Sequence, residues 1–405
     1  MKWWILIWGV ALLLFGIVAM FSVSIYESFS FTLGAIARGT RFGDPSHYYY
    51  FNAHLKNIMI ALVGGLCVYF FIPTAWFKNH KIVTWAMIAA VVFQALVFVP
   101  GIGRELNGAR GWLDIPGLPS IQPVELYKVM YMIFIASWLM RKARDGVGLA
   151  VYKKFAFINM ALLSILVFIP DFGMIVIIGL TSIVMFWYAG AKLRDLVIIG
   201  GLGLGGLFVL LTILGLFSDK FSYITDRVSY FLMMKSGGDV VERQQTVGRQ
   251  NTQALMAIGG GGFWGQGYGR GIQKFGYIPE AQSDFIFAAF SEEIGFVGNM
   301  ILLLLYGGLA FTVLYVTLIL RNKHDRILAI GIVCLIIIQV FVHMGVNLKI
   351  LPNTGVTLPF VSHGGSGILA NIVQLVILFK LCSQDVLEFD TMPLIQNRRF
   401  DDDIV

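Results

Sequence analysis

Apolar runs of about twenty residues recur along the whole 405-residue chain, separated by short charged loops. A helix of that length crosses a hydrocarbon core of about 30 Å. Inside such a core every backbone N–H and C=O must be paired within the protein, so runs of this kind fold as helices. The sequence therefore predicts an all-α, polytopic membrane bundle of about ten spans. Their expected limits are 3–24, 57–76, 82–100, 122–140, 155–170, 172–189, 195–217, 284–320, 327–348 and 364–381. Charged residues make up 13% of the chain, about half of what soluble domains carry. A soluble fold of this size needs more charge than that to cover its surface.

The run 284–320 is too long for one upright helix, so it is expected to tilt or to leave the membrane. Pro170 and Asp171 separate the fifth and sixth spans, because proline removes a helix donor. The first apolar run follows Lys2 and reaches about Val23 without a small-residue cleavage site, so it reads as a span rather than a signal peptide.

Loop charges set the orientation. One set of short loops holds Lys78 and Lys81, then Arg141, Lys142, Arg144, Lys153 and Lys154, then Lys192 and Arg194, then Arg321, Lys323 and Arg326. The alternate set holds Arg104, Arg110 and Lys349. By the positive-inside rule both termini are expected in the cytoplasm. The segments 25–56, 101–121, the turn at 170, 218–283 and 349–363 then face outward. The segment 218–283, between spans seven and eight, is the one large hydrophilic loop. Residues 1–385 read as a single transmembrane domain and 386–405 as a short cytoplasmic tail.

The net charge of +7 fits cytoplasmic loop bias, and no basic arm with interleaved aromatics points to nucleic acid. Cys67, Cys334 and Cys382 form no disulfide framework, and no His/Cys/Asp set has zinc spacing. The sequence implies no cofactor and no metal-ligand set, and it does not fix whether a divalent cation is needed.

Ionisable groups near membrane depth are costly and tend to be functional. Glu125 and Lys128, at i and i+3, share a helix face as an internal ion pair or a catalytic pair. Asp171 sits at the turn between spans five and six. Glu280 and Asp284 stand at the entry to span eight, where Asp284 either caps the helix or does chemistry. Glu292 and Glu293 lie two to three turns deeper and cannot both face lipid. His343 lies in span nine and His363 just before span ten. The glycines at 259–262, 265, 267, 269 and 271 lack the Gly-Lys-Ser/Thr ending of a P-loop. With Arg270 and Lys274 beside them, they read either as a cradle of backbone donors for a pyrophosphate or as a flexible re-entrant hinge.

Several blocks together resemble the SEDS family (shape, elongation, division and sporulation proteins). Asn107, Ala109, Arg110 and Trp112, then Gln122, Pro123, Glu125 and Lys128, are similar to its GARRW and QPSEFAK block. Pro170, Asp171 and Gly173 resemble its PDLG. Gln250, Gln253, Ala257 and Gly259 resemble its QxxQSxxAIGSGG. The run from Gln273 to Glu280, then Asp284 to Phe287 and Glu292, Glu293 and Gly295, resembles QKFGYLPEAHTDFIF and GEELG. Leu351, Pro352, Gly355, Leu358 to Phe360 and Ser362 to Ser366 resemble LPVTGxPLPFISYGGSS. The blocks stand in the family's order from about 107 to 370, and the wording from Gln273 onward is nearest the division branch, FtsW. The chain departs from the pattern at Gly111, Val124, Ser283, His343, Lys349, His363 and Gly367, and its 25–56 segment, with Tyr48, Tyr49 and Tyr50, is longer than usual.

The resemblance implies a peptidoglycan glycosyltransferase that polymerises lipid II at the outer face of a bacterial cytoplasmic membrane, for cell division or cell shape. It implies Asp284 as general base. It implies Arg110, Lys274 and Arg270 on the pyrophosphate, Trp112 on the cavity wall, and Glu280, Ser362 and His363 on the substrate. Gln122, Glu125, Lys128, Asp171, Gln250 and Gln253 would keep the cavity polar. The implied partners are lipid II, a class B penicillin-binding protein (a transpeptidase) and other divisome or elongasome membrane proteins. A lipid II flippase, a secondary transporter and a non-catalytic divisome scaffold are the competing readings.

Overall fold

A computed structural model describes residues 2–106, 109–114, 120–142, 147–201, 203, 205–206 and 242–401, without the side chains of 242–248 and 384–401. The helices are α1 (Lys2–Val23), α2 (Ile25–Ala37), α3 (Tyr49–Phe71), α4 (Thr74–Lys78), α5 (His80–Ala95), α6 (Pro123–Lys142), α7 (Leu149–Phe168), α8 (Phe172–Tyr188), α9 (Glu242–Gly261), α10 (Ile286–Ile319), α11 (Lys323–Asn347) and α12 (Gly365–Asp401). Eight are long and apolar enough to cross a membrane, and α8 is a shorter apolar helix. The chain is a multi-pass membrane protein. The expected seventh span begins as helix at 193, but 207–217 lie outside the described residues, as does 218–241 of the large loop.

Apolar residues surround most of these helices, because lipid and protein neighbours are both apolar. Burial therefore sorts them better than hydropathy does. The apolar windows of α6 and α11 are 78% buried and that of α7 is 17% buried, so α6 and α11 form the centre and α7 the rim. Phe70, Phe71, Leu304, Phe311 and Leu318 stand exposed on the outside, where a bilayer would cover them.

Three segments differ from expectation. The stretch 25–37, expected as loop, is the helix α2. No glycine or proline interrupts 17–33, and the helical bonds Ser24 N–H to Met20 and Ser28 N–H to Ser24 carry across the junction. Its buried face meets the turn before α3, where Ser28 Oγ accepts from Tyr50 N–H and Thr32 Oγ1 accepts from Ser46 N–H. Consequently α3 starts at Tyr49 rather than 57. The hairpin of β1 (Gly103–Leu106) and β2 (Ala109–Leu113) adds two short antiparallel strands to an otherwise helical fold. It is pinned by Leu113 packing with Val97 and Ile169. Finally, the helical backbone of α12 runs to Asp401, through much of the segment expected as a tail.

The long run α10 is kinked at Gly295, with φ 62° and ψ −164°. Residues 296–319 alone cover about 36 Å at 1.5 Å per residue, which is enough for a hydrocarbon core. Residues 286–294 fold back beside the turns that follow the kink: Ser291 Oγ donates to Asn299 Oδ1 at 2.9 Å, and Phe290 and Leu302 line one small cavity with Phe15 of α1. Trp264, Tyr268 and Tyr277, in the loop before α10, are exposed. A kink frees backbone groups, and the glycine-rich loop pairs them. Phe296 and Val297 N–H donate to the carbonyls of Gly262 and Phe263, while Gln266 and Gly267 N–H donate to those of Glu292 and Glu293. A Cβ at Gly265 would meet the Glu293 oxygen at 2.1 Å, and one at Gly295 would meet the Gly265 nitrogen at 2.1 Å. Gly261, Gly265 and Gly295 thus form a close-packed seam, while a Cβ at Gly259, Gly262 or Gly269 would meet nothing within 4 Å. Gly295→Ala combines a left-handed φ with a backbone clash and is expected to cost at least about 2 kcal/mol, read as a lowered unfolding temperature of the purified protein.

Candidate functional site

The site is built on one face of α11. Gln339, His343 and Asn347 recur every four residues, so they line one side of the helix, and all three are buried. Gln339 Nε2 donates to the Thr357 carbonyl at 2.9 Å. His343 Nδ1 donates to the Val356 carbonyl at 2.7 Å. Asn347 Nδ2 donates to the Asp284 carbonyl at 3.0 Å, and its Oδ1 accepts from Ala288 N–H at 3.1 Å. One helix face thus holds the 354–357 strap on one side and the start of α10 on the other.

Lys128 and Glu125 of α6 complete this polar core. They form a buried ion pair at 2.6 Å, and Lys128 also donates to Gln339 Oε1 at 2.7 Å. Asp171 caps α8 by accepting from Met174 N–H at 3.1 Å, and its carboxyl lies within electrostatic reach of both Glu125 and Lys128. Gln122 N–H donates to Ser366 Oγ at the start of α12.

Asp284 is half-buried beside this core. Its Oδ2 lies 3.5 Å from where a Cβ on Gly355 would stand, so the carboxylate faces bare backbone of the strap. The turn before it is shaped by Glu280, a non-glycine residue at φ 53°. The Glu280 carbonyl accepts from the N–H groups of Ser283 and Phe285, and its Oε2 accepts from Ser283 Oγ at 3.1 Å. The N–H of His363 donates to the Gln282 carbonyl. The His363 ring is half-buried against Tyr50 and His54, and burial pushes its imidazole down to about 4.

A second polar knot lies under the glycine seam. Lys274 is 1% exposed and Glu293 2%, and they pair at 2.6 Å. Lys274 also donates to Ser22 Oγ of α1, which in turn donates to Glu293. The second oxygen of Glu293 accepts from Gly269 N–H, and Glu292 Oε2 accepts from Gln273 N–H, each at 2.9 Å. Both glutamates are therefore satisfied by the loop that crosses them.

A sequence profile described as "Cell cycle protein" (FtsW, RodA, SpoVE) matches residues 3–386. This chain belongs to the FtsW/RodA/SpoVE family. A probable peptidoglycan glycosyltransferase FtsW from Alcanivorax borkumensis is 32% identical over 350 residues, covering 84% of this chain and 85% of the relative. Stage V sporulation protein E of Bacillus subtilis is 32% identical over 331 residues, covering 80% of this chain and 86% of the relative. Two solved structures share the fold. One is a chain from a peptidoglycan synthase complex that coordinates polymerization and crosslinking, with a TM-score of 0.70, 23% identity and coverage of 95% and 98%. The other is Thermus thermophilus RodA, with a TM-score of 0.64, 24% identity and coverage of 95% and 97%.

Two residues expected on the substrate of this family member are committed elsewhere. Lys274, expected on a pyrophosphate, has its ammonium locked in the buried pair with Glu293. Ser362 is buried, donating to the Ser283 carbonyl at 2.7 Å and accepting from Leu358 N–H at 2.8 Å, so it ties the strap to the Asp284 turn. Arg110 on β2 is half-buried, with an Nε that has no hydrogen-bond partner among the described residues. Trp112 is half-buried and pairs with Arg104 across the hairpin. Arg270 is exposed on the seam loop, and Gln250 and Gln253 are half-buried on α9, which packs on α10.

Sequence reasoning missed Gln339 and Asn347. Their four-residue spacing about His343 in an apolar span was the available signal. It also missed Ser22, Glu27 and His54, which carried none, because their roles depend on which loop packs against them. Lys274→Met should strand the Glu293 charge and cost about 3–5 kcal/mol. Adding Glu293→Gln should recover part of that loss, measured as unfolding temperature for the single and double variants.

Proposed function

We propose that this chain polymerises a lipid-linked disaccharide-peptide, lipid II, at the outer face of the bacterial cytoplasmic membrane. The observation that carries the reading is the Asp284 carboxylate, half-buried at the mouth of the polar core, with its own carbonyl anchored by Asn347. The relatives named peptidoglycan glycosyltransferase support the same chemistry. Loop charge supports cytoplasmic termini, and in that orientation the hairpin, the strap and the Asp284 turn face outward. A substrate with its tail in lipid and its head outside meets the protein at that level.

In this reading the 4-hydroxyl of one lipid II attacks the anomeric carbon of the lipid-linked glycan. The bond from that carbon to the pyrophosphate oxygen breaks, and undecaprenyl pyrophosphate leaves. The hydroxyl is a weak nucleophile, and Asp284 takes its proton as the new bond forms. Negative charge grows on the leaving phosphate, where a fixed cation stabilises it. Arg110 is suited to that task, since its Nε has no hydrogen-bond partner among the described residues and its planar fork matches phosphate. A class B penicillin-binding protein would then crosslink the strands, alongside other division or elongation membrane proteins.

The test is polymerisation of labelled lipid II by the purified protein with its cognate transpeptidase. Asp284→Asn should lower the rate by roughly 10²–10⁴-fold with unfolding temperature unchanged. A folded Asp284→Asn protein working at the normal rate would overturn the assignment. Arg110→Ala should raise KM by about tenfold or more, the worth of a hydrogen bond to a charged group. Unchanged KM would remove Arg110 from the phosphate.

A further inference from the structure

A second polar pocket lies beside Asp284, between the base of α2, the start of α3 and the turn at Glu280. Tyr26 of α2 is seated on the loop, since a Cβ at Gly276 would come within 2.7 Å of its ring. That contact brings Glu27 toward Glu280. Burial first, and the Glu280 charge second, raise the Glu27 carboxyl above the usual range. The charges acting on the neighbouring Tyr50 come from Glu280, Glu27 and Tyr49, all acidic groups. Two basic groups of this region are already engaged, Lys274 with Glu293 and Arg41 over the ring of Tyr49. The folded chain thus gathers negative charge here.

The floor of the pocket independently points to a ligand. His54 on α3 is fully buried, and among the described residues neither of its ring nitrogens has a hydrogen-bond partner. Its ring lies 6.0 Å from that of His363, whose buried Nδ1 likewise has none among the described residues. The His363 ring in turn lies 5.4 Å from Tyr50. Buried polar groups are nearly always hydrogen-bonded, so the lone pairs of these two imidazoles, without a partner among the described residues, leave capacity for a hydrogen-bond donor. Each neutral imidazole offers one lone pair. Two carboxylates and such a lone pair suit a compact cation with several N–H donors and no acceptor, and a primary ammonium has three donors and no acceptor. A neutral sugar hydroxyl would not relieve the repulsion between the carboxylates.

Resting on the glycosyltransferase reading, we propose that the pocket of Glu27, Glu280, Tyr50, His363 and His54 receives a primary ammonium on the peptide of the lipid-linked substrate. It selects substrates whose peptide amine is free, and it positions the head group while Asp284 acts on the sugar.

The test is equilibrium binding of two lipid II preparations to the full-length protein with its transpeptidase partner, one with the peptide amine free and one with it N-acetylated. Acetylation removes the charge and leaves the sugars and pyrophosphate intact. The wild type should bind the free amine about tenfold or more tightly, and Glu27→Gln should narrow that ratio to within about twofold. Glu27→Lys, which brings its own ammonium, should narrow it as well. Equal Kd values for the two lipids on the wild type would overturn the proposal, whatever the variants do. So would full discrimination by a folded Glu27→Gln protein. If the two lipids bind equally and magnesium tightens both in the wild type but not in Glu27→Gln, the occupant is a metal cation and the proposal also falls. Polymerisation is scored separately in the same preparations. Selective binding without strand synthesis would sink the glycosyltransferase reading and leave the amine pocket standing.

Discussion

Irregular backbone beside a hydrocarbon core survives where protein groups pair every N–H and C=O, and this requirement organises the structure. The strap at 349–363 and the turn at 280–285 are both irregular, and both end against α11. Gln339, His343 and Asn347 meet three carbonyls there, at Thr357, Val356 and Asp284. Removing any one would leave a buried carbonyl unpaired, at about 1–3 kcal/mol each. The same bonds fix where Asp284 stands. Pairing the backbone and positioning the carboxylate are therefore one arrangement, and a disturbance of the first would reach the second.

The second irregular region obeys the same rule by a different route. At the α10 kink the partners are backbone to backbone, and glycine is needed because the two chains approach too closely for side chains. Glu292 and Glu293 then act as acceptors for the loop's own N–H groups rather than as reactive groups. Lys274 balances one of those charges, since an isolated buried carboxylate would be costly. Charge in this end of the molecule is divided accordingly. Lys274 and Lys128 are consumed by buried pairs with Glu293 and Glu125, while the Arg110 Nε has no hydrogen-bond partner among the described residues.

Hydropathy made the bundle legible, because span length and apolar content are local properties. It located α5 through α8 and α11 within a few residues. It misplaced the start of α3 and the nature of 25–37, since α2 owes its place to Ser28 and Thr32 bonds with the next segment. The length of the 284–320 run announced that it could not be one upright span, and Gly295 supplied the reason only once the loop packed on it was seen. Charge at membrane depth brought Asp284, Glu125, Lys128 and His363 into view, and family motifs gave the first three a place in a shared pattern. They could not tell a lysine that meets substrate from one that meets Glu293, because both sit in a conserved-looking polar word. That distinction rests on a contact nineteen residues away in sequence and on Ser22 in the first helix.

Which carboxylate can work as a base follows from what each already holds. Glu125 is 1% exposed and bound to Lys128 at 2.6 Å. Accepting a proton there would leave the lysine charge buried without its counter-ion, at several kcal/mol. Glu293 is held in the same way by Lys274, and Glu292 is buried against the loop. Asp284 differs from all three in exposure: it is half-buried, an oxygen of its carboxylate lies by the backbone of Gly355, and its own carbonyl is anchored by Asn347. That anchor keeps the segment in register while the side chain changes charge. A carboxylate anchored through its backbone at the edge of a membrane bundle combines fixed position with access, the two properties that proton transfer from a lipid-borne sugar requires.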